Sequence, residues 1–229
     1  MLLFRYLVGE LKGTQYSGEE KMTLIIYIPF KNGALMISDR QNTYFEDLTR
    51  EPINKIIALP KFKVILGFAG STKQCRYLID QLRRDNGTLT FEETYERVYR
   101  RCYGSPELGF RSDDVEMLAL QYKSTEEGIV LHRILGPLMN EVDRVKCQAI
   151  GGGAKYIGPQ LQLDTLTISK EKAEEFGLTL LAYASTIDIS VGNPATYDYN
   201  EVFIDTQIGA ILTPHPTNVS IEKLLYKFE

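Results

Sequence analysis

The chain has no tryptophan, three cysteines and two histidines in 229 residues. Cys75, Cys102 and Cys147 are far apart, with no Cys-x-x-Cys pair, and only His132 and His215 add imidazole. That inventory argues against a metal centre and a disulfide framework, and no cofactor is expected. Unpaired thiols suit a reducing compartment, so a cytoplasmic location is the expectation. No apolar stretch reaches the roughly 18 residues of a membrane span. Residues 1–8 are apolar but broken by Arg5, and no small-residue cleavage site follows, so they do not read as a signal peptide. Positive charge is not in excess either. The net charge is −4 and the pI near 5.4, which gives no footing for nucleic acid as a partner.

What is present is an ordinary globular composition, with 44% hydrophobic and 24% charged residues. Residues 1–22 stand apart, because the stretch from Gly13 to Lys21 is polar and contains glycine and serine. They read as a removed propeptide, a retained extension or a misassigned start ahead of Met22, with residues 23–229 as one domain. From Thr23 onward apolar runs of strand length dominate. Thr23–Pro29 and Gly33–Asp39 flank a turn at Lys31-Asn32-Gly33, and Ile53–Leu59 and Val64–Ala69 follow. Apolar spacing of three and four predicts a helix over Thr72–Arg84. Thr90 with Glu93 three residues on is a capping box opening a second helix to Tyr103. Strands are expected at Val115–Tyr122, Ile129–Leu135 and Val145–Ile150. Helices are expected at Ala154–Leu161 and Ser169–Ile187, a hairpin at Val202–Ile204 and Ile208–Leu212, and a terminal helix at Ser220–Tyr226. Strands and helices come in segregated runs, which argues for an α+β fold of stacked antiparallel sheets with helices outside.

Three polar residues punctuate the apolar runs. Thr23 opens the first strand, Asp39 ends the second, and Lys55 sits among Ile53, Ile56 and Ile57. A lysine in such a setting faces solvent or needs an anionic partner. If Thr23 were the first residue of a mature chain, its hydroxyl and a free α-amine would share one residue, a nucleophile with its own base.

The residues from Thr23 to about Ile204 resemble the proteasome β-subunit family, which includes the bacterial HslV peptidase and belongs to the N-terminal-nucleophile hydrolases. Thr23, Asp39 and Lys55 keep the family's spacing of sixteen and sixteen. Gly67-Phe68-Ala69-Gly70-Ser71 is similar to its Gly-x-Ala-Gly turn before the first helix. Ala149-Ile150-Gly151-Gly152-Gly153-Ala154 is similar to its Ala-x-Gly-Ser-Gly segment, and Asp188 falls where the family has an Arg-Asp pair. The chain departs from the pattern in three places. Met22 precedes Thr23 where self-processing subunits have glycine. Gly152 stands where many active members place a serine, and Ser190-Val191-Gly192 follows Asp-x-x-Ser-Gly only loosely.

The resemblance implies a four-layer α-β-β-α sandwich and a threonine-nucleophile peptidase acting on a peptide or protein. Thr23 would be the nucleophile, Lys55 its electrostatic support, Asp39 the anchor of Lys55 and Gly70 the oxyanion donor, with Gly152 and Asp188 completing the site. Segments near 42–45, including Asn42, Thr43, Tyr44 and Phe45, and near 66–74 would line the pocket. Ring or homo-oligomeric partner subunits are implied too. The Met22-Thr23 start also resembles connectase, an archaeal relative that ligates peptides. A non-catalytic assembly subunit that keeps its leader is the alternative from outside enzymes.

Overall fold

The computed structural model describes residues 23–43, 50–103, 109–111, 115–124, 128–188, 190–192, 199–205, 210–213 and 224–227. The leader, 1–22, lies outside them, as do Tyr44 and Phe45. Among the described residues the fold is mixed α+β, with two larger antiparallel sheets and four α-helices.

The first sheet takes β1 (Ile25–Phe30), β2 (Gly33–Asp39), β10 (Gln148–Ile150), β11 (Tyr199–Asp205), β12 (Ala210–Thr213) and β13 (Leu224–Lys227). Its order is β10-β1-β2-β11-β12-β13. The second takes β5 (Ile56–Leu59), β6 (Val64–Gly70), β7 (Val115–Ser124), β8 (Gly128–Leu135) and β9 (Leu138–Val142) in chain order. A two-stranded ribbon, β3 (Gln41–Thr43) with β4 (Arg50–Pro52), lies between β2 and β5 in the chain. The helices are α1 (Thr72–Arg84), α2 (Phe91–Tyr103), α3 (Ala154–Ile157) and α4 (Lys170–Ile187).

The apolar residues sort into three clusters, and the period-two alternation of the strands explains the sorting. On β1, Ile25 and Tyr27 join Met36 of β2, Ile65 of β6 and Leu118 and Leu120 of β7 in a cluster drawn from both sheets. Ile26 and Ile28 turn the other way, with Leu35 and Ile37, onto Ala173, Leu180, Leu181 and Ala184 of α4. On the second sheet Leu66, Phe68, Met117 and Ile134 meet Leu78, Ile79 and Leu82 of α1 and Phe91, Tyr95 and Val98 of α2. A strand buried on both faces carries no polar alternation, which is why β1 and β2 are continuous apolar runs in the sequence. Each fully buried Ile, Leu or Phe contributes about 1.5–3 kcal/mol.

Several elements follow the expected local chemistry. Helix α1 has the expected bounds, and Arg83 and Arg84 lie in its last turn, where the helix dipole favours cations. The capping box at α2 is closed both ways: the Glu93 N–H donates to Thr90 Oγ1 (3.2 Å) and the Thr90 N–H to Glu93 Oε2 (3.0 Å). At α4 the Ser169 hydroxyl accepts from the Lys172 N–H (3.4 Å).

Other elements differ from expectation. The terminal helix expected at 220–226 is replaced, at Leu224–Lys227, by β13 paired with β12. The strand expected at Ile53–Leu59 begins only at Ile56, so Lys55 stands just before it. The strand at Val145–Ile150 shortens to β10, with Val145 exposed in a turn. The helix expected at Ala154–Leu161 stays α-helical only to Ile157 and continues as a 3-10 turn over Gly158–Gln162, where Pro159 supplies no N–H. Edge strand β9 had no counterpart in the sequence reading.

Candidate active site

The site is built around one buried carboxylate. Asp39 is the last residue of β2, 0% exposed, with Thr23 2% and Lys55 3% exposed beside it. The Thr23 hydroxyl donates to Asp39 Oδ1 at 3.1 Å, and the Lys55 ammonium donates to Asp39 Oδ2 at 2.8 Å. Backbone N–H groups complete the shell: Leu24 to Oδ1 (2.8 Å), and Gln41 (3.0 Å) and Gly192 (3.3 Å) to Oδ2. A buried carboxylate is costly unless paired and hydrogen-bonded, and here both oxygens are served. The chain therefore brings together the threonine, aspartate and lysine that lie sixteen residues apart in sequence.

The local fold explains each position. β1 and β2 pair in register from Ile25–Ser38 outward, which leaves Thr23 and Asp39 at the same end of the hairpin. The Asp39 N–H bonds to the Leu24 carbonyl (3.3 Å) and extends the ladder by one step. Lys55 is held by its backbone, since its carbonyl accepts from the Phe68 N–H of β6 (3.0 Å). Burial pushes the Lys55 pKa below its ordinary 10.5, and the Asp39 carboxylate works against that shift.

The glycine turn after β10 abuts Thr23. The Gly153 N–H donates to the Thr23 carbonyl at 3.2 Å. Gly151 has φ +91°, and a Cβ there would lie 2.3 Å from the Thr23 carbonyl oxygen and 2.7 Å from its Cγ2. Only glycine permits that approach. Gly152 lies between them, half-buried in the same turn.

Gly70 ends β6 with φ +101°, immediately before Ser71 and helix α1. It lies two positions beyond Phe68, whose N–H bonds to the Lys55 carbonyl. Asp188 makes no direct bond to the trio. It caps α4, and its carboxylate accepts from the Ser190 N–H (2.9 Å) and the Ser190 hydroxyl. That turn leads to Gly192, whose amide reaches Asp39. Asn42 of the expected pocket wall is half-buried and its Oδ1 accepts from the Thr72 hydroxyl at the start of α1 (3.1 Å).

Two participants had no sequence signal. Gln41 donates from its backbone, which any residue type would provide. Glu116 of β7 accepts from the Gly151 N–H at 3.3 Å and from Arg133 at 2.7 Å. No group of three or more His, Cys, Asp or Glu among the described residues is placed to hold a metal ion. No described helix is long and apolar enough to cross a membrane.

No protein-family model matches the chain, and a search of curated proteins finds no match.

Proposed function

We propose that this protein is a threonine-nucleophile amidohydrolase acting on peptide bonds through Thr23, on an α-β-β-α sandwich like that of the proteasome β-subunits. The observation that carries the reading is the Thr23 Oγ1–Asp39–Lys55 chain, with legs of 3.1 and 2.8 Å, buried at one end of the β1–β2 hairpin. The three core clusters support the fold half of the proposal, since one draws on both sheets and each of the others joins one sheet to helices.

In the uncut chain the Thr23 nitrogen is a peptide amide and no base. Removal of Met22 and what precedes it frees an α-amine whose reference pKa, near 7.7–8.0, suits proton exchange at neutral pH. Thr23 Oγ1 then attacks a peptide carbonyl carbon and gives its proton, through a water, to that amine. The Lys55 charge favours the developing alkoxide and lowers the pKa of the α-amine, while Asp39 fixes the ammonium. The Gly70 N–H, next to the positive end of α1, serves the oxyanion. The tetrahedral adduct collapses to a Thr23 ester, and the leaving amine takes the proton back from the α-ammonium. Water resolves the ester in a hydrolase, and a second amine resolves it in a ligase.

Intact mass and N-terminal sequencing of the purified protein test the reading. A mature chain beginning at Thr23 is expected, with Thr23→Ala folded and inactive on peptides. A fully active Thr23→Ala variant would refute the nucleophile. A retained leader would favour a scaffold role. Incubation with two peptides separates the outcomes of the ester, because only a ligase yields a spliced product.

A further inference from the structure

The Thr23 site is bordered by a second buried carboxylate that the chemistry above does not use. Glu116 lies on β7, 4% exposed, directly opposite Ala69 of β6 and so beside Gly70. Its neighbours Val115 and Met117 face α1 and α2, whereas Leu118 and Leu120 face the first sheet. By the strand's alternation Glu116 shares the face of Leu118 and Leu120. From there its Oε2 accepts from the Gly151 N–H (3.3 Å), the first amide of the turn that follows β10 in the other sheet. Its Oε1 takes Arg133, a diagonal neighbour on β8, at 2.7 Å.

The contact continues to the nucleophile without slack. Gly151 stands so close to Thr23 that a single added carbon would lie 2.3 Å from the Thr23 carbonyl oxygen. Two positions on, the Gly153 N–H holds the same oxygen at 3.2 Å. A shift of the Gly151 amide therefore shifts the peptide plane that carries the Thr23 side chain. A buried amide is satisfied equally well by a neutral carbonyl. A carboxylate brings a desolvation cost and needs Arg133 beside it at 2.7 Å, so its presence opposite the Gly151 amide at 3.3 Å is not explained by amide satisfaction alone.

We propose that Glu116 is a positioning residue for Thr23, acting through the Gly151 amide and clamped in turn by Arg133. It fixes the glycine turn and so the distance and angle at which Thr23 Oγ1 meets the substrate carbonyl. This rests on the reading of Thr23 as the nucleophile.

The test compares acylation of Thr23 by a peptide β-lactone in the full chain as purified and in its Glu116→Gln variant. Mass spectrometry follows the label, and the dependence on probe concentration separates the maximal rate from the half-saturating concentration. In the variant a donor N–H₂ must face either Arg133 or the Gly151 N–H, so the clamp opens. A displacement of about 1 Å is worth on the order of 10²-fold in rate. The expected result is a maximal acylation rate lower by roughly 10- to 100-fold, a half-saturating concentration within about twofold and an unchanged circular-dichroism spectrum. Glu116→Asp, which keeps the charge near Arg133 but withdraws from Gly151, is expected to slow acylation in the same way and serves if the glutamine variant does not fold. A folded variant labelled as fast as the wild type overturns the role of Glu116 and leaves Thr23 as the nucleophile. A wild-type protein that begins at Thr23 and takes no label overturns both.

Discussion

At the scale of single residues the site is an economy of donors around Asp39. Replacing that carboxylate by an amide leaves the buried Lys55 ammonium with no counter-ion among the described residues. Asp39→Asn is expected to destabilise the protein by about 3–5 kcal/mol, read from urea unfolding, and, on the proposed function, to abolish peptide turnover. Gly151→Ala adds a methyl to a residue at φ +91° against the Thr23 backbone. Left-handed strain and overpacking together are expected to cost about 2–5 kcal/mol in the same measurement. The trio itself was legible through a resemblance, because Thr23, Asp39 and Lys55 keep the sixteen-and-sixteen spacing of a known family's pattern. Lys55 in particular is flanked by isoleucines that bury it and oblige it to find an anion. Glu116 was not legible. Its neighbours Val115 and Met117 mark a strand, but its partner Gly151 is 35 residues away and belongs to the other sheet.

At the scale of elements, the helices were read well where they carry their own signals. The α2 capping box is local chemistry and closes as expected. Thr90→Ala is expected to lower stability by about 1 kcal/mol, measured as a shift in the urea midpoint at constant slope. The strands that escaped the sequence reading lack such signals. Every residue of β9 is exposed or half-buried, including Leu138 at 61%, so no alternation marks it. The segment Leu224–Lys227 contains leucines and a lysine, which are good helix formers, and pairing with β12 overrides that preference. Lys55 shows the same limit at finer grain. The sequence places it within a strand; the strand proper begins one residue later, the Lys55 carbonyl still bonds to the Phe68 N–H of β6, and the ammonium reaches Asp39.

At the scale of the whole molecule, His132 is the group through which stability is expected to vary with pH just below neutrality. This residue projects from β8 toward α2, near Glu92 (3.6 Å), with Lys123 and Glu141 also close enough to act on it. Burial lowers its pKa from 6.5; Glu92 opposes that shift, Lys123 adds to it and Glu141 opposes it. As pH falls below 6.5 the unfolded chain therefore binds its proton first, and stability rises with pH across that window. Urea midpoints measured downward from pH 6.5 are expected to fall, and His132→Asn is expected to flatten the slope. Asp39 links these scales. Its oxygens collect Thr23 and Leu24 at the head of β1, Gln41 at the start of β3, Lys55 from the start of the second sheet and Gly192 from the far side of α4. Gln41 apart, these segments are distant in the chain and meet only when the β1–β2 hairpin, the approach to β5 and the turn after α4 have come together. On the chemistry proposed for Thr23, a half-assembled molecule would thus be silent, and a labelled threonine would serve as a certificate that these segments had docked.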